Sequence, residues 1–295
     1  MKNIIVLLSV ALMVFNSVAQ DSIPSKWKYK AVGAISGTSA SFKNWNAGGQ
    51  NTISWIALFN ADANYKKDKL RWENGMHLAY GQNRVLVRPW AKTDDIFSVF
   101  SKVGYQITKS LDVAMLNDFK TQFDVSRDDE NNLKSKFMAP AYLINALGVE
   151  YKPNDQFQIF ASPFTSKTTF VKDFTLSQDG AFGVEPGKTV RSEFGAFIKF
   201  LYNDEIMKNV TFKGKLELFS NYLNSPQNID VNLEALFNFK INKWLSASWS
   251  FNMIYDDDTD ISILDVNGIE IANGPRAQIK NVIGIGLSYS FIEKK

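Results

Sequence analysis

Hydrophobic and polar residues alternate with a period of two over most of this sequence. From Leu245 to Tyr255, every odd-numbered position is hydrophobic, and serine or asparagine occupies most even-numbered positions. Side chains of a β-strand point alternately to opposite faces, so the pattern predicts strands with one hydrophobic and one polar face. No helical period competes over a comparable length. About twelve strands are predicted, beginning near Trp27, Thr52, Leu70, Ile96, Leu111, Ala139, Phe157, Val190, Val210, Ile229, Leu245 and Gln278.

The connections between the predicted strands alternate strictly between short and long. The short ones are 66–69, 108–110, 153–156, 203–209 and 242–244, and the longer ones are 43–51, 82–95, 124–138, 164–189, 221–228 and 257–277. Tight periplasmic turns and longer extracellular loops are typical of transmembrane β-barrels. The sequence therefore predicts an all-β protein, an antiparallel transmembrane β-barrel of about twelve strands with both termini in the periplasm.

Aromatic residues occur near both ends of the predicted strands. At the ends that join the short turns they are Trp27, Tyr29, Tyr65, Trp72, Tyr105, Tyr151, Tyr202, Trp244 and Tyr289. At the opposite ends they are Trp55, Tyr80, Phe97, Phe123, Tyr222 and Tyr255. Two such belts anchor a barrel at the lipid headgroups, whereas a soluble β-core would concentrate its aromatic residues in the middle of the strands.

Composition narrows the classes of function. The chain has no cysteine, which excludes disulfides, thiolate metal sites and a cysteine nucleophile. Its formal charge is +3, too balanced to indicate a nucleic-acid surface. Lys2 precedes an apolar segment at 4–15, and small residues follow at 17–19. We predict a secretory signal peptide at 1–19 and a single barrel domain at 20–295. A membrane anchor is the alternative, but the apolar segment is shorter than the roughly 20 residues that a spanning helix needs.

Three segments carry a resemblance to a known family. They read FKNWNAGGQNTISW, NYKKDKLRWENGMHLAYG and KTDDIFSVFSKVGYQI. They resemble the uncharacterised family called domain of unknown function 3078, in motif residues Asn44, Trp45, Gly48, Gly49, Asn51, Lys92, Thr93, Asp94 and Asp95. The resemblance implies an outer-membrane protein of Bacteroidota-like bacteria and no assigned reaction. We expect these motif residues to lie in loops, where the paired glycines would reverse the chain.

The polar faces of the predicted strands carry charges of both signs. The predicted lumen-lining residues are Lys28, Asp62, Arg71, Glu73, His77, Lys102, Asp112, Asp118, Lys120, Glu150, Arg191, Glu193, Lys199, Lys213, Lys215, Glu217, Glu234 and Lys240. Charges removed from water need partners, so one interpretation is an ion-pair network that fills the barrel. The other is a selective pathway, in which removal of Arg71 or Lys102 would shift ion selectivity toward cations.

Enzymatic and metal-binding functions have weak support. The chain has one histidine, His77, which the pattern places in the middle of a strand on the lumen face, away from the rim where a barrel enzyme meets its substrate. Acidic runs at 128–130 and 256–260 could hold Ca²⁺ but lack the spacing of an EF-hand, and solvated loops are the simpler interpretation. We predict no catalytic residue, no metal site and no cofactor.

These observations favour a barrel in the outer membrane of a Gram-negative bacterium. The first functional hypothesis is a narrow or plugged barrel that passes small solutes to a limited extent. The alternatives are a structural or accessory barrel that binds partners through its extracellular loops, and, less favoured, a surface enzyme. Expected partners are outer-membrane lipid and lipopolysaccharide, with other envelope proteins as candidates and no nucleic acid.

Overall fold

The alternating segments form long strands that pair with their neighbours in sequence. The computed structural model describes residues 26–41, 50–85, 88–128, 131–258, 260–264 and 270–293. The strands are β1 (Trp27–Ala40), β2 (Thr52–Lys67), β3 (Leu70–Val85), β4 (Ala91–Gln106), β5 (Leu111–Thr121), β6 (Ser126–Arg127), β7 (Leu133–Ser135), β8 (Ala141–Tyr151), β9 (Phe157–Phe170), β10 (Val190–Met207), β11 (Val210–Asn221), β12 (Ile229–Lys240), β13 (Leu245–Tyr255), β14 (Asp260–Leu264), β15 (Glu270–Pro275) and β16 (Gln278–Glu293).

Twelve of these strands form one closed antiparallel barrel. Its order is β1, β2, β3, β4, β5, β8, β9, β10, β11, β12, β13 and β16, and β16 pairs with β1 to close the barrel. The predicted all-β fold, an antiparallel barrel of about twelve strands, is confirmed. The two remaining pairs, β6–β7 and β14–β15, are short hairpins within long loops. A helix α1 (Phe174–Gln178) and a 3₁₀ turn (Ala181–Gly183) lie in the loop between β9 and β10. Among the described residues, no helix is long and apolar enough to span a membrane.

The strands continue beyond several of their predicted boundaries, which corrects three loop assignments. β4 begins at Ala91 rather than Ile96, so the residues predicted in a loop at Lys92, Thr93, Asp94 and Asp95 lie on a strand. β9 continues to Phe170, so the loop predicted at 164–189 shrinks to 171–189. β10 continues to Met207, which leaves only a tight turn before β11. The sequence pattern missed these extensions because they are polar, and a strand that projects beyond a membrane no longer needs a hydrophobic face.

The outer surface of the barrel is strongly hydrophobic. Large hydrophobic side chains that remain exposed on the barrel strands include Ile35, Val113, Met115, Leu147, Val149, Ile283, Ile285 and Leu287. Aromatic rings gather at the short-turn ends, where Trp27 packs against Tyr65 and Trp72 with ring centroids 5.2 and 5.4 Å apart. An exposed apolar band bordered by aromatic residues is the surface that a barrel presents to lipid.

Two bulges bring neighbouring backbones unusually close together. The register shifts between Leu147 and Val149 where β8 meets β9, and between Gly195 and Phe197 where β9 meets β10. At the first bulge, a Cβ atom on Gly148 would lie 2.1 Å from the Ala161 carbonyl oxygen of β9, and at the second, one on Gly195 would lie 1.8 Å from the Ser220 carbonyl oxygen of β11. Only glycine allows this approach, and such bulges add local twist to the wall of a barrel.

Candidate functional site: the barrel interior

The ladder register brings the inward-facing charges together. Directly paired residues lie on the same face of an antiparallel sheet, and the register joins Asn64, Glu73 and Lys102 across β2, β3 and β4. Extended around the ring, it places all the predicted lumen charges on one face. This is the inner face, because a single closed sheet can bury ions such as Glu150 and Glu217 only within its own lumen.

A first group of ion pairs lies near the short-turn ends of β3, β4, β5 and β8. Lys102 pairs with Glu73 at 2.7 Å and also with Glu150. Arg71 pairs with Asp112 at 3.2 Å. These cations are therefore occupied by carboxylates rather than presented to a passing solute.

A second group is centred on Glu217, midway along β11. Its carboxylate lies 2.9 Å from the Nζ atom of Lys199, 3.0 Å from that of Lys120 and 3.7 Å from that of Lys215. Lys199 also pairs with Asp118 at 3.4 Å. Glu217 is only 5% exposed. One buried carboxylate therefore compensates several partly buried cations, and its removal would take away the carboxylate partner of Lys120 and leave Lys199 with Asp118 alone.

A third group lies toward the long-loop ends. Lys167 pairs with Asp230 at 2.6 Å and lies 3.6 Å from Glu193. Arg191 donates to Glu193 at 2.8 Å and also pairs with Asp258 in the last long loop. The acidic run at 256–258, predicted as a solvated loop, is thus partly tied to the barrel wall.

Two of the ion pairs that cross the bore join strands four apart around the ring. Lys120 on β5 reaches Glu217 on β11, four strands away around the ring. Lys280 on β16 pairs with Asp94 on β4, also four strands away, and donates to the Thr93 carbonyl oxygen at 3.0 Å. Such links hold distant parts of the wall at fixed separations.

A hydrophobic cluster fills the half of the lumen that is lined by the strands from β4 to β11. Phe160 and Phe197 are each 2% exposed, and their ring centroids lie 6.4 Å apart. The rest of the cluster consists of Ala114, Leu116, Ala146 and Phe219, with Phe100 and Ile144 packed against it. The Lys199 ammonium lies 5.9 Å from the centroid of the Phe100 ring. The lumen between β4 and β11 is therefore packed with side chains.

The opposite half of the lumen is open, except near the long-loop end, where Lys280 reaches across it to Asp94. No described inward-facing residue of β12, β13, β16, β1 or β2 is buried, and the Glu234 side chain is 44% exposed although it pairs with Lys215 at 2.5 Å. Small or uncharged polar residues line much of this half, including Ser36, Asn232, Asn238, Ser246, Ser248, Ser250, Asn252, Gly284 and Gly286. The bore is thus eccentric, which the strand pattern did not predict. The small residues at the polar positions of β13 and β16 are the sequence feature that could have predicted it.

The remaining predicted lumen residues lie beside this open half. The Nδ1 atom of His77 lies 2.6 Å from Oδ1 of Asn60 on the neighbouring strand. Asp62 interacts electrostatically with Lys213 of β11. Lys240 is the last residue of β12 and is exposed.

The family-motif residues on β4 join the barrel to the next long loop. Lys92 pairs with Asp95 at 2.7 Å and donates to the Asp124 carbonyl oxygen at 2.8 Å. The Asp95 carboxylate accepts hydrogen bonds from the backbone N–H groups of Phe123 and Asp124, at 2.7 and 2.9 Å. Asn51 immediately precedes β2, whereas Asn44, Trp45, Gly48 and Gly49 lie outside the described residues.

The loop between β9 and β10 packs against its neighbour over a small core of its own. The buried members of this core are Ala139, Val171, Leu176 and Val184. Asp173 caps helix α1 by accepting from the Leu176 N–H at 3.0 Å, and it pairs with Lys136 of the neighbouring loop. The hydrogen bond from Lys136, aided by that N–H, lowers the pKa of Asp173 below its usual value. Gly183 lies against the inward-facing Arg191, so this end of the loop covers part of the mouth.

The acidic side chains that the structure describes form no candidate metal site. No cluster of three or more His, Asp or Glu residues in the described parts of the chain has the geometry to hold a metal ion. Asp257 accepts from the Tyr255 hydroxyl at 2.9 Å and from Asn228. The Asp257 oxygens are thus engaged by the adjacent strand end and by the neighbouring loop before β12.

The fold and its surfaces define a transmembrane-type β-barrel with a partly filled, charged lumen. The family model described as "Protein of unknown function (DUF3078)" matches residues 38–126, which confirms the resemblance seen in the motifs. A second model, "Protein of unknown function, DUF481", matches residues 152–262. No curated protein matches the chain significantly.

Solved structures with related architecture are remote from this chain. An outer membrane channel from Pseudomonas putida F1 aligns with a TM-score of 0.41 and 11% identity, over 93% of this chain and 100% of that one. The P. putida toluene transporter TodX aligns at 0.33 and 12%, over 92% and 80%. The translocator domain of the autotransporter NalP from Neisseria meningitidis aligns at 0.34 and 8%, over 96% and 92%. Similarity this remote transfers no function to this chain.

Proposed function

We propose that this protein is an outer-membrane barrel of a Gram-negative bacterium that lets small solutes pass along the open half of its lumen. The observation that carries the proposal is the contrast between the two halves. Ion pairs and aromatic rings close one side, whereas the inner residues of β12, β13, β16, β1 and β2 whose exposure the structure describes all retain contact with solvent. Twelve strands fall between the eight that side chains nearly fill and the sixteen that leave a wide channel, which suits a narrow path.

The membrane assignment rests on the exposed apolar band and the aromatic rings at its border. In this proposal the short turns lie in the periplasm and the long loops outside, with lipid and lipopolysaccharide around the wall. The mature protein should fractionate with outer membranes and migrate faster on gels unheated than boiled, because closed barrels resist detergent unfolding. Recovery as a soluble periplasmic protein would contradict the assignment.

Planar-bilayer recording tests the passage itself. We expect small single-channel conductance from the intact barrel, and a larger one when residues 172–188 are replaced by a short glycine–serine turn. The hydrogen bond from the Val171 N–H to the Thr189 carbonyl oxygen, at 2.9 Å, shows that the base of this loop can be joined directly. Lys188→Ser, an exposed change in the same loop, should leave conductance unaltered. Absence of conductance from both the intact and the shortened barrel would reject the proposal.

A second candidate function is partner binding through the long loops. Phe174, on the loop between β9 and β10, is 80% exposed, and Phe137 on the neighbouring loop is exposed as well. Loops ordered by their own core could present these rings to another envelope protein. Site-specific photocrosslinking from position 174 in whole cells tests this function. Crosslinks to lipopolysaccharide alone, with no protein adduct, would disfavour it.

No geometry in the described parts of the chain supports an enzymatic role. Ser98 lies directly opposite His77 in the ladder, which is where a nucleophile could sit. In the described structure, however, the hydrogen bond of His77 goes to Asn60 rather than to Ser98. A general base must reach the proton it abstracts. We therefore propose that the protein is not an enzyme, and His77→Ala should leave transport unchanged.

A further inference from the structure

Four inward-facing lysines near the short-turn end have no salt bridge among the residues that the structure describes. Lys28 and Lys30 are the second and fourth residues of β1, Lys213 is the fourth residue of β11, and Lys240 is the last residue of β12. All four are exposed although they face the lumen. They therefore border the open half near the short-turn end of the barrel.

Elsewhere in the lumen, cations are matched by carboxylates. Lys102 and Lys199 each contact two carboxylates, and Lys167 contacts three. The unpaired lysines are thus a departure from the pattern of this interior. Because Arg71 and Lys102 are occupied by acidic partners, they are poor candidates for setting selectivity, contrary to the expectation from the sequence.

Lys30 and Lys213 approach the bore from walls four strands apart. Both interact electrostatically with Asp62 on β2, and they repel each other. Asp62 on β2 and Glu293 on β16 are the ladder partners of Lys30, and Glu205 lies on the inner face of β10 near Lys213. The four lysines outnumber these carboxylates and leave a net positive charge at this end of the lumen. A ring of positive charge around a narrow water-filled path attracts anions and excludes cations.

We propose that Lys30 and Lys213, supported by Lys28 and Lys240, form an anion-binding constriction in the open half of the lumen. The passage would then select small anions, with inorganic chloride, phosphate or short carboxylates as the chemical class. The selective transport in this inference rests on the proposed function, but anion binding at the site can be tested separately.

The electrical test measures the reversal potential of the loop-shortened barrel in a gradient of potassium chloride. We expect a preference for chloride that falls in the double variant Lys30→Gln/Lys213→Gln by about fivefold or more, since a unit charge at contact distance in water changes an ion's occupancy by about that factor. Asp62→Asn should change selectivity in the opposite direction. Lys243→Gln, on the short turn at the same end of the barrel, removes an equal charge and should change little.

Equilibrium binding separates failure of this inference from failure of the proposed function. Phosphorus NMR should show inorganic phosphate broadened by the purified barrel in detergent and sharpened again by the double variant. If the barrel conducts but its ion selectivity is the same in the double variant, the anion site is overturned and the proposed passage stands. Without conductance, phosphate binding that is lost in the double variant would uphold the site, and absence of binding would overturn it. Unheated gel mobility of each variant confirms that it has folded.

Discussion

The orientation of β12 gives the sharpest test of the barrel wall. Leu233 faces outward between Leu216 of β11 and Met253 of β13, while its neighbour Glu234 faces the lumen. Leu233 is seven residues from the end of β12 at Lys240, and Phe239 is one residue from it. At about 3.4 Å per residue and a tilt of about 40°, these positions lie about 18 Å and about 3 Å from the short-turn end.

The depth of each position sets the expected cost of a charge. Within an apolar band about 25 Å tall, Leu233 lies deep and Phe239 lies at the border. Leu233→Arg should therefore destabilise the barrel by about 2–4 kcal/mol, and Phe239→Arg by about 0–1 kcal/mol. Glu234→Leu removes one partner of Lys215 from a solvent-exposed pair, which should cost under about 1 kcal/mol.

Reversible urea unfolding in lipid vesicles, followed by tryptophan fluorescence, measures these differences. The order of costs matters more than their absolute values, because all three variants share one strand and one unfolded state. A larger loss for Glu234→Leu than for Leu233→Arg would show that the register is displaced by one residue, since such a displacement exchanges the two faces.

Three further predictions follow from the lumen and its loops. Glu217→Gln should lower the free energy of unfolding by about 3 kcal/mol, at the lower end for breaking a buried ion pair, because Lys120 and Lys199 would be left partly buried and under-compensated. Urea titration against Glu234→Gln, expected to be mild, checks this prediction. Gly195→Ala should prevent or severely weaken folding while Gly284→Ala is tolerated, since the nearest atom to a new Cβ at Gly284 is 3.8 Å away; unheated gel mobility distinguishes the two. The pKa of Asp173 is lowered in the fold, so its ionised carboxylate should stabilise the β9–β10 loop fully above the ordinary value of 3.8, and this stabilisation should be lost as pH falls through the lower folded pKa. Hydrogen exchange of the loop should rise in that acidic window. Asp173→Ala should abolish this pH dependence.

The barrel could be predicted from the sequence because lipid and lumen impose opposite chemistry on alternate residues. Ten of the twelve predicted starts coincide with observed strand starts; the start predicted at Ala139 is displaced to Ala141, and β4 begins well before Ile96. That early start was missed because Lys92 and Asp95 satisfy each other outside the apolar band, where alternation no longer signals a strand.

The period-two pattern could not predict which inward-facing side chains contact one another across the lumen. Alternation shows that Lys120 and Glu217 face inward, but their contact depends on the curvature that closes twelve strands into a ring. The division into a packed and an open half likewise depends on which strands face one another. Phe160 and Phe197 occupy inward positions that the pattern assigned to polar residues, and only the closed structure shows that they fill the bore.

The seam between β1 and β16 has a consequence for how the chain folds. It joins segments near opposite ends of the described chain, with Ile35 paired to Leu287, whereas most other barrel pairings are between strands that follow one another. Local hairpins can therefore assemble early, but this contact of very long sequence separation must wait until the last strand is in place, at a high entropic cost. Until then β1 and β16 are unpaired edges that invite association with other chains. Cellular factors that shield or deliver these two strands would therefore control the yield of the folded barrel more than any hairpin does.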